Sequence, residues 1–217
     1  MIHTKPIFIP IGSSCSIAYQ LQKLGIREAA FPFDWLKIKR LSTITKIINH
    51  KFEKFSSFSQ VSKVTACPLL NDDFIIEDEK SNETFKATNI FSALSFHDFS
   101  SKIPFDSQKD EIKQKYDRRI KRFYDTLMSN LSNRKIVFVR EELEPNKLNI
   151  DEINSFIESI KKIRSDIEFE IRIVCYHPSN IIDTNLLSKT TIKIIYDESE
   201  FVNWTRPNVN WQKVFSL

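Results

Sequence analysis

The residue in this chain whose type and position best suit chemistry is a cysteine near the N-terminus. Residues 12–15 read Gly-Ser-Ser-Cys, and they lie between an apolar run at 7–11 and a helical apolar pattern that begins at Ser16. The positive end of a helix dipole stabilises a thiolate, and free backbone N–H groups there can hold an oxyanion. The pattern therefore indicates Cys15 as a nucleophile, with the amides of Ser16 and Ile17 as oxyanion donors. The alternative is a small buried residue that fills the turn.

A cysteine nucleophile requires a base, and the chain contains four histidines. His97 lies in the segment Ser-Phe-His-Asp-Phe-Ser and is our first choice for the base. His177, which follows a predicted strand and precedes a proline, is the second choice. We expect His3 and His50 at the surface, because they lie before the first strand and at the end of a short helix.

The other two cysteines are predicted to be structural. Cys67 precedes a proline in a segment without clear periodicity, and Cys175 lies inside a predicted strand. Three scattered cysteines suit neither a disulfide framework nor a zinc site, and they indicate a reducing compartment. We therefore expect no metal or other cofactor, and a cytoplasmic location in a bacterium or an infected host.

The composition is that of a globular protein with a weak net charge. The chain has 217 residues, of which 41% are hydrophobic and 28% are charged, and its net charge is +4. This length favours a single α/β domain over residues 1–217. The charge is too low for a dedicated nucleic-acid binder, and two glycines cannot build a glycine-rich phosphate loop. No apolar run approaches the ~20 residues of a membrane span, and no signal peptide is evident.

Strand and helix patterns alternate at both ends of the chain, which predicts an α/β fold with a mainly parallel sheet flanked by helices. Helices are predicted from residue 16 to Gly25, at 41–48, at 108–132, and from Asn149, which forms a capping box with Glu152. Strands are predicted at 7–11, 83–90, 135–140, 167–175 and 191–197. Residues 51–82 show no clear pattern, 92–105 are expected to be a loop or strand end, and Trp204 and Trp211 are expected to dock on the body.

Polar residues follow several of the predicted strands. In open α/β sheets, ligand sites form beyond the carboxyl ends of the strands, so these residues are expected along one rim. They include our candidate ligand-binding residues Ser13, Ser14, Arg140 and His177. Asp34, between two aromatic residues, requires an arginine or histidine partner if it is buried, because an unpaired buried charge is costly.

Several motifs occur in a characteristic order within residues 7–140. They are Ile-Pro-Ile-Gly-Ser-Ser-Cys, Phe-Pro-Phe-Asp-Trp, Phe-His-Asp-Phe, Arg-Arg-Ile-Lys-Arg-Phe and Ile-Val-Phe-Val-Arg. Together they resemble a family of uncharacterised bacterial and viral proteins catalogued as putative papain-like cysteine peptidases. The resemblance implies a nucleophile at Cys15 and a base at His97, with Asp34 or Asp98 orienting the imidazole. It also implies that Arg119 and Arg140 bind a carboxylate or another anion.

The predicted order of elements differs from that of papain itself. A papain-like enzyme has its cysteine on a long helix and its histidine in a separate β-rich half, whereas this chain places the cysteine in a turn after a strand. That order is closer to the flavodoxin-like hydrolases of the SGNH type, although their late Asp-x-x-His block is absent from this sequence. We therefore expect a flavodoxin/SGNH-like fold rather than a true papain fold.

Three hypotheses for the function follow from these residues. The first is a cysteine-dependent hydrolase or acyl-transfer enzyme that acts on a peptide, ester or other acyl substrate. The second is a non-catalytic binding module that captures an anionic or sugar-linked ligand at the strand-end rim. The third, a nucleic-acid partner, predicts a steep salt dependence of binding. The residues give no indication of an oligomeric state.

Overall fold

The computed structural model describes residues 5–65, 68, 70–71, 74–75, 83–129, 134–145, 148–180 and 191–216. The strands, in chain order, are β1 (Ile7–Pro10), β2 (Leu36–Lys37), β3 (Ser59–Val64), β4 (Leu70–Asn71), β5 (Phe74–Ile75), β6 (Thr84–Thr88), β7 (Leu94–Ser100), β8 (Ile136–Glu142), β9 (Phe169–Cys175) and β10 (Thr191–Tyr196). The helices are α1 (Ser16–Lys23), α2 (Leu41–Asn49), α3 (Lys109–Met128), α4 (Ile150–Ile163) and α5 (Trp211–Val214).

A four-stranded parallel sheet forms the centre of the fold. Its strand order is β1-β8-β9-β10, and each neighbouring pair is parallel. β8 and β9 are buried along their whole length, including their charged residues Arg140, Glu141, Glu142, Glu170 and Arg172. The expected α/β class with a parallel sheet is therefore confirmed.

Each face of the parallel sheet is covered by a separate apolar core. On one face, β1 and β8 side chains such as Ile9 and Phe138 pack against α2, α3 and α4. On the other face, Phe8 and Val139 pack against α1 and against the C-terminal segment that contains Trp211. The alternation of side chains along each strand produces this division. The expected docking of Trp211 on the body is observed.

A second sheet, which the sequence did not reveal, lies beside the first. It is antiparallel, with the order β2-β7-β6-β3. The segment 92–105 was expected to be a loop or strand end, and that prediction was wrong over 94–100, because this stretch is the strand β7, paired on both sides. The mixture of aromatic and polar residues in β7 hides the alternation by which a half-buried strand is normally recognised.

The start of α4 is capped in a different way from that expected. The Asn149 side chain accepts hydrogen bonds from the N–H groups of Asp151 and Glu152, as predicted for an N-cap. The Glu152 carboxylate accepts bonds from Arg40 and from the N–H of Ser42 at the start of α2. Glu152 therefore joins two helices instead of completing a capping box. Among the described residues, no helix is long and apolar enough to cross a membrane.

Candidate active site

The turn after β1 holds an unusual backbone conformation that requires its glycine. Gly12 and Ser13 have φ angles of 69° and 74°, in the left-handed region. A Cβ atom at Gly12 would lie 2.9 Å from Ile44 Cδ1 and 3.1 Å from Ile38 Cβ. The Ser13 N–H donates to the Ile38 carbonyl at 3.0 Å, which fixes the turn against the start of α2. The chain is thereby directed from the end of β1 into α1.

Cys15 is the N-cap residue of α1 and lies at the end of this turn. Its side chain is mostly buried, with 6% of the residue exposed, and it contacts Trp35 and Ala18. The Ser14 hydroxyl oxygen accepts a bond from the N–H of Ser16 at 3.3 Å, and it lies 3.0 Å from the Ser16 hydroxyl oxygen, which donates its own proton to Glu141. One of the two expected oxyanion donors, the Ser16 amide, is therefore already hydrogen-bonded to Ser14.

His97 lies in a bulge of β7. Phe85 pairs with Phe99 and Ala87 pairs with Ser95, so that three residues of β7, 96–98, face one residue of β6. Bulges interrupt the alternation of a strand and redirect side chains, and they are frequent next to active sites. Both His97 and its neighbour Asp98 are buried as a result, on a strand where strict alternation would bury only one of them.

The environment of His97 selects one tautomer and the neutral form. Its Nδ1 lies 2.8 Å from the carbonyl oxygen of Pro68, and because a carbonyl only accepts, Nδ1 must carry the proton. The lone pair is then on Nε2. Burial lowers the pKa of His97 below its usual 6.5, against opposing effects of the Pro68 carbonyl and Asp98. A neutral imidazole that is protonated on Nδ1 and not on Nε2 is a form that can act as a general base.

Cys15 and His97 line the same cavity, of about 260 Å³. The side chains around it come from the β1–α1 turn, from β7 and from the C-terminal segment, where the Trp204 ring lies 5.4 Å from the His97 ring. Among the described residues, those that line it are Ser13, Ser14, Cys15, Lys37, Phe96, His97, Leu143, Phe201, Trp204 and Arg206. The structure thus places the predicted nucleophile, the predicted base and both predicted serines at one site.

Asp98 is bound to groups of α3 and of its own strand. Its Oδ2 accepts bonds from the hydroxyls of Ser95 and Tyr116, at 2.5 and 2.8 Å, and Lys115 Nζ lies 3.7 Å from Oδ1. Burial would raise the pKa of Asp98, but Lys115 and Arg119 outweigh that effect and lower it. Asp98 is therefore an ionised carboxylate next to His97 in sequence.

Asp34 has the buried cationic partner that its aromatic neighbours implied. Its Oδ2 accepts two hydrogen bonds from Arg27, one from Nε at 3.2 Å and one from Nη2 at 2.7 Å. Both side chains are almost completely buried. The Arg27 guanidinium also lies over the Trp35 ring, 5.1 Å from its centroid. Burial raises the pKa of Asp34, and Arg27 opposes this rise. The pair fixes the segment whose Trp35 contacts Cys15.

The two arginines expected to bind an anion are buried inside the protein. Arg140, 1% exposed, donates to the carbonyls of Ile11 and Lys39 at 3.1 and 2.7 Å. Arg119 is fully buried and stacks on the Tyr116 ring at 5.0 Å. The expectation that Arg119 and Arg140 bind a ligand gains no support from these positions. Arg140 instead holds the end of β1 against the segment between β2 and α2.

The second-choice base and another cysteine lie at a different cavity. His177 lines a cavity at the ends of β9 and β10 together with Cys175, Tyr196 and Asp197. Burial raises the pKa of the Cys175 thiol to about 12, which makes it a poor nucleophile at neutral pH. His177 is thus not among the residues that line the Cys15 cavity. Cys67 and His3 lie outside the described residues.

A buried carboxylate that the sequence did not single out lies behind the cysteine turn. Glu141, fully buried, accepts bonds from the Ser16 hydroxyl and from the Tyr176 hydroxyl, the latter at 2.5 Å. Burial raises the pKa of Glu141, and these bonds oppose the rise. In the sequence, the two glutamates Glu141 and Glu142 at the end of a central strand were the signal that could have indicated this buried carboxylate. The contribution of Trp204 and Arg206 to the cavity could not be read from the sequence, because they lie far from Cys15 along the chain.

The comparison with known proteins agrees with the family resemblance of the sequence motifs. The model of a family described as putative papain-like cysteine peptidase matches residues 7–179. An uncharacterised protein of Acanthamoeba polyphaga mimivirus is 37% identical over 220 residues, which cover 96% of each chain. No solved structure showed a significant match. No group of three histidine, cysteine, aspartate or glutamate side chains in the described part of the chain is arranged as a metal site.

Proposed function

This chain belongs to the family of putative papain-like cysteine peptidases, and on that premise we propose that it is a cysteine-dependent hydrolase or acyl-transfer enzyme. Cys15 is the nucleophile and His97 is the general base. The observation that carries the proposal is the cavity that both side chains line. Cys15 lies in the turn after β1 and His97 lies in β7, far apart in sequence, so their meeting at a cavity is not a consequence of local chain geometry.

The state of each group supports its role. His97 is neutral, and its Nδ1–H is held by the Pro68 carbonyl, so that Nε2 is the nitrogen able to take a proton. The imidazole is also held between aromatic rings, with Trp35 at 6.1 Å and Trp204 at 5.4 Å between ring centroids. A base that is fixed in orientation and tautomer loses little freedom when it acts. Here a backbone carbonyl does what an aspartate does in many triads.

The reaction begins with attack of the Cys15 sulfur on the carbonyl carbon of the substrate. His97 Nε2 takes the thiol proton as the carbon–sulfur bond forms and the carbonyl π electrons move to oxygen. The tetrahedral intermediate then collapses: the bond to the leaving group breaks, and His97 returns the proton to that group. A thioester between Cys15 and the acyl group remains. Attack by water, or by another acceptor, with His97 again as the base, releases the acyl group and restores the thiol.

Selective alkylation tests the proposal directly. We expect iodoacetamide at neutral pH to label Cys15 much faster than Cys175, because burial raises the thiol pKa of Cys175. Tryptic mapping of the modified protein over time measures both rates in one sample. Equal and slow labelling of the two cysteines would refute the assignment of Cys15.

Variants of the two candidate histidines test which of them is the general base. His97→Gln should slow the alkylation of Cys15 and any turnover of p-nitrophenyl esters by about 10²–10⁴-fold, the usual contribution of a general base. His177→Gln is the matched control, because His177 lines the other cavity. If His177→Gln slowed alkylation and turnover as much as His97→Gln does, His177 would be the base instead. Circular dichroism of each variant shows whether the fold is retained.

A further inference from the structure

We infer that the Cys15 cavity selects acyl substrates that carry a carboxylate close to the reactive carbonyl, such as the C-terminal residue of a peptide. This inference rests on the proposed function, since it concerns the substrate of the same cysteine. It is carried by two cations on the cavity wall, Lys37 and Arg206. None of the described residues that line the cavity is a carboxylate.

The guanidinium of Arg206 packs on two aromatic rings. The guanidinium carbon lies 4.1 Å from the Tyr176 ring centroid and 4.3 Å from that of Phe201. Stacking of this kind leaves the edge of the guanidinium, where its N–H donors lie, available for an anion in the plane. Because the side chain is already fixed, binding of a carboxylate costs little conformational entropy.

The guanidinium of Arg206 makes an ion pair but no hydrogen bond with its carboxylate partner. Among the described residues that partner is Glu141, whose Oε1 lies 3.8 Å from Arg206 Nε, beyond hydrogen-bond distance. Both oxygens of Glu141 already accept hydrogen bonds, from Ser16 and Tyr176, and burial raises the pKa of this carboxyl. The guanidinium therefore retains donors and positive charge toward the cavity.

Lys37 provides the second cation, from a different part of the fold. It is exposed on the short strand β2, and among the described residues it has no ion-pair partner. A flexible ammonium on one wall and a fixed guanidinium on another give the cavity a positive potential, which attracts anions. Aromatic side chains, from Phe96, Phe201 and Trp204, form much of the remaining wall.

The dimensions of the cavity limit what it accepts. Its volume of about 260 Å³ is at the small end of ligand pockets. A single amino-acid residue or a compound of similar size fits this space, whereas a long folded segment does not. A small apolar group with one carboxylate matches both the aromatic wall and the two cations.

Two alkylating reagents of nearly equal size provide the test. Iodoacetate carries a carboxylate where iodoacetamide carries a neutral amide, so the ratio of their rates at Cys15 reports the preference for an anion. The same ratio for N-acetylcysteine is the reference. We expect the ratio at Cys15 to exceed the reference by about tenfold at low salt and to fall as salt is added.

Variants that each remove one positive charge test whether Arg206 and Lys37 cause the preference for an anionic reagent. Arg206→Gln and Lys37→Gln should each lower the ratio at Cys15 by about threefold, so that the two charges together account for the tenfold preference. Lys39→Gln is the matched control, because Lys39 is exposed two residues away and does not line the cavity. A ratio at Cys15 equal to the reference, or one that Arg206→Gln and Lys37→Gln leave unchanged, would overturn the inference. A Cys15 that reacts with neither reagent would instead refute the proposed function, so the two failures are distinguishable.

Discussion

At the scale of single residues, Cys15 and Cys175 show how position decides the chemistry of a thiol. Both are largely buried, but Cys15 caps a helix at a cavity that also contains an imidazole, whereas Cys175 ends a central strand. At Cys175, burial and the charge of Glu142 both raise the thiol pKa. The sequence predicts different roles for these two cysteines from their location, since one follows a turn and the other lies inside a predicted strand.

The buried imidazole makes stability depend on pH in a definite direction. Because burial lowers the pKa of His97 below 6.5, the unfolded chain binds a proton at a higher pH than the folded protein does. The free energy of unfolding should therefore decrease as the pH falls below 6.5, by at most about 1.4 kcal/mol for each pH unit. Urea denaturation of wild type and His97→Gln between pH 8 and 5 measures this contribution. If the free energy of unfolding changed with pH in the same way for both proteins over this range, the prediction would be wrong.

At the scale of elements, the β1–α1 turn depends on a glycine for two separate reasons. Gly12→Ala places a side chain in the left-handed region and within 2.9 Å of Ile44 Cδ1. We expect this change to lower the free energy of unfolding by about 2–4 kcal/mol and to slow the alkylation of Cys15. Urea denaturation and the rate with iodoacetamide measure the two effects.

Gly25, at the other end of α1, is the control for this prediction. Its φ is 64°, but no described atom lies within 4 Å of the Cβ that Gly25→Ala would add. Only the backbone strain remains, so we expect a loss of about 1 kcal/mol and an unchanged Cys15. If both variants were equally destabilised and both slowed alkylation, the close approach at Gly12 would not be what positions the cysteine.

The elements of the parallel sheet could be predicted from the sequence, whereas half of the site could not. β1 and β8 begin with short apolar runs, β9 alternates apolar and charged residues, and α3 shows one apolar face, so local pattern is sufficient. β7 belongs to an antiparallel sheet and contains a bulge, which removes the period of two. Its pairing with β6 and β2 depends on long-range contacts that no local pattern encodes. His97 was therefore recognised by its neighbours in the motif, without knowledge of what positions it.

At the scale of the whole molecule, the cavity joins three parts of the chain that are otherwise separate. Cys15 comes from the β1–α1 turn beside the parallel sheet, His97 from the antiparallel sheet, and Trp204 from the C-terminal segment. The segment is held by the Tyr19 ring, 5.3 Å from that of Trp204, and by a hydrogen bond of 2.6 Å from Gln20 to the Thr205 carbonyl. The site thus exists only where all three are packed together.

Residues 201–206, the covering segment, supply one wall of the cavity. Removing part of this segment should change which reagents reach Cys15. Trp204→Ala opens the wall beside His97, so we expect Cys15 to react faster with a bulky maleimide relative to N-ethylmaleimide. Val202→Ala is the control, because Val202 is exposed and does not line the cavity. The ratio of the two maleimide rates is the measurement. An unchanged ratio in Trp204→Ala would mean that this indole does not limit access.

The covering segment, residues 201–206, follows the cysteine turn in the sequence, and this order has a consequence for translation. The ribosome releases the cysteine turn before residues 201–206, and domains generally acquire structure from the N-terminus onward. A nascent chain that still lacks Trp204 and Arg206 has a thiol but neither that wall of the cavity nor the cation beside it. A product terminated between the turn and residue 201 would therefore carry a sulfhydryl without this covering.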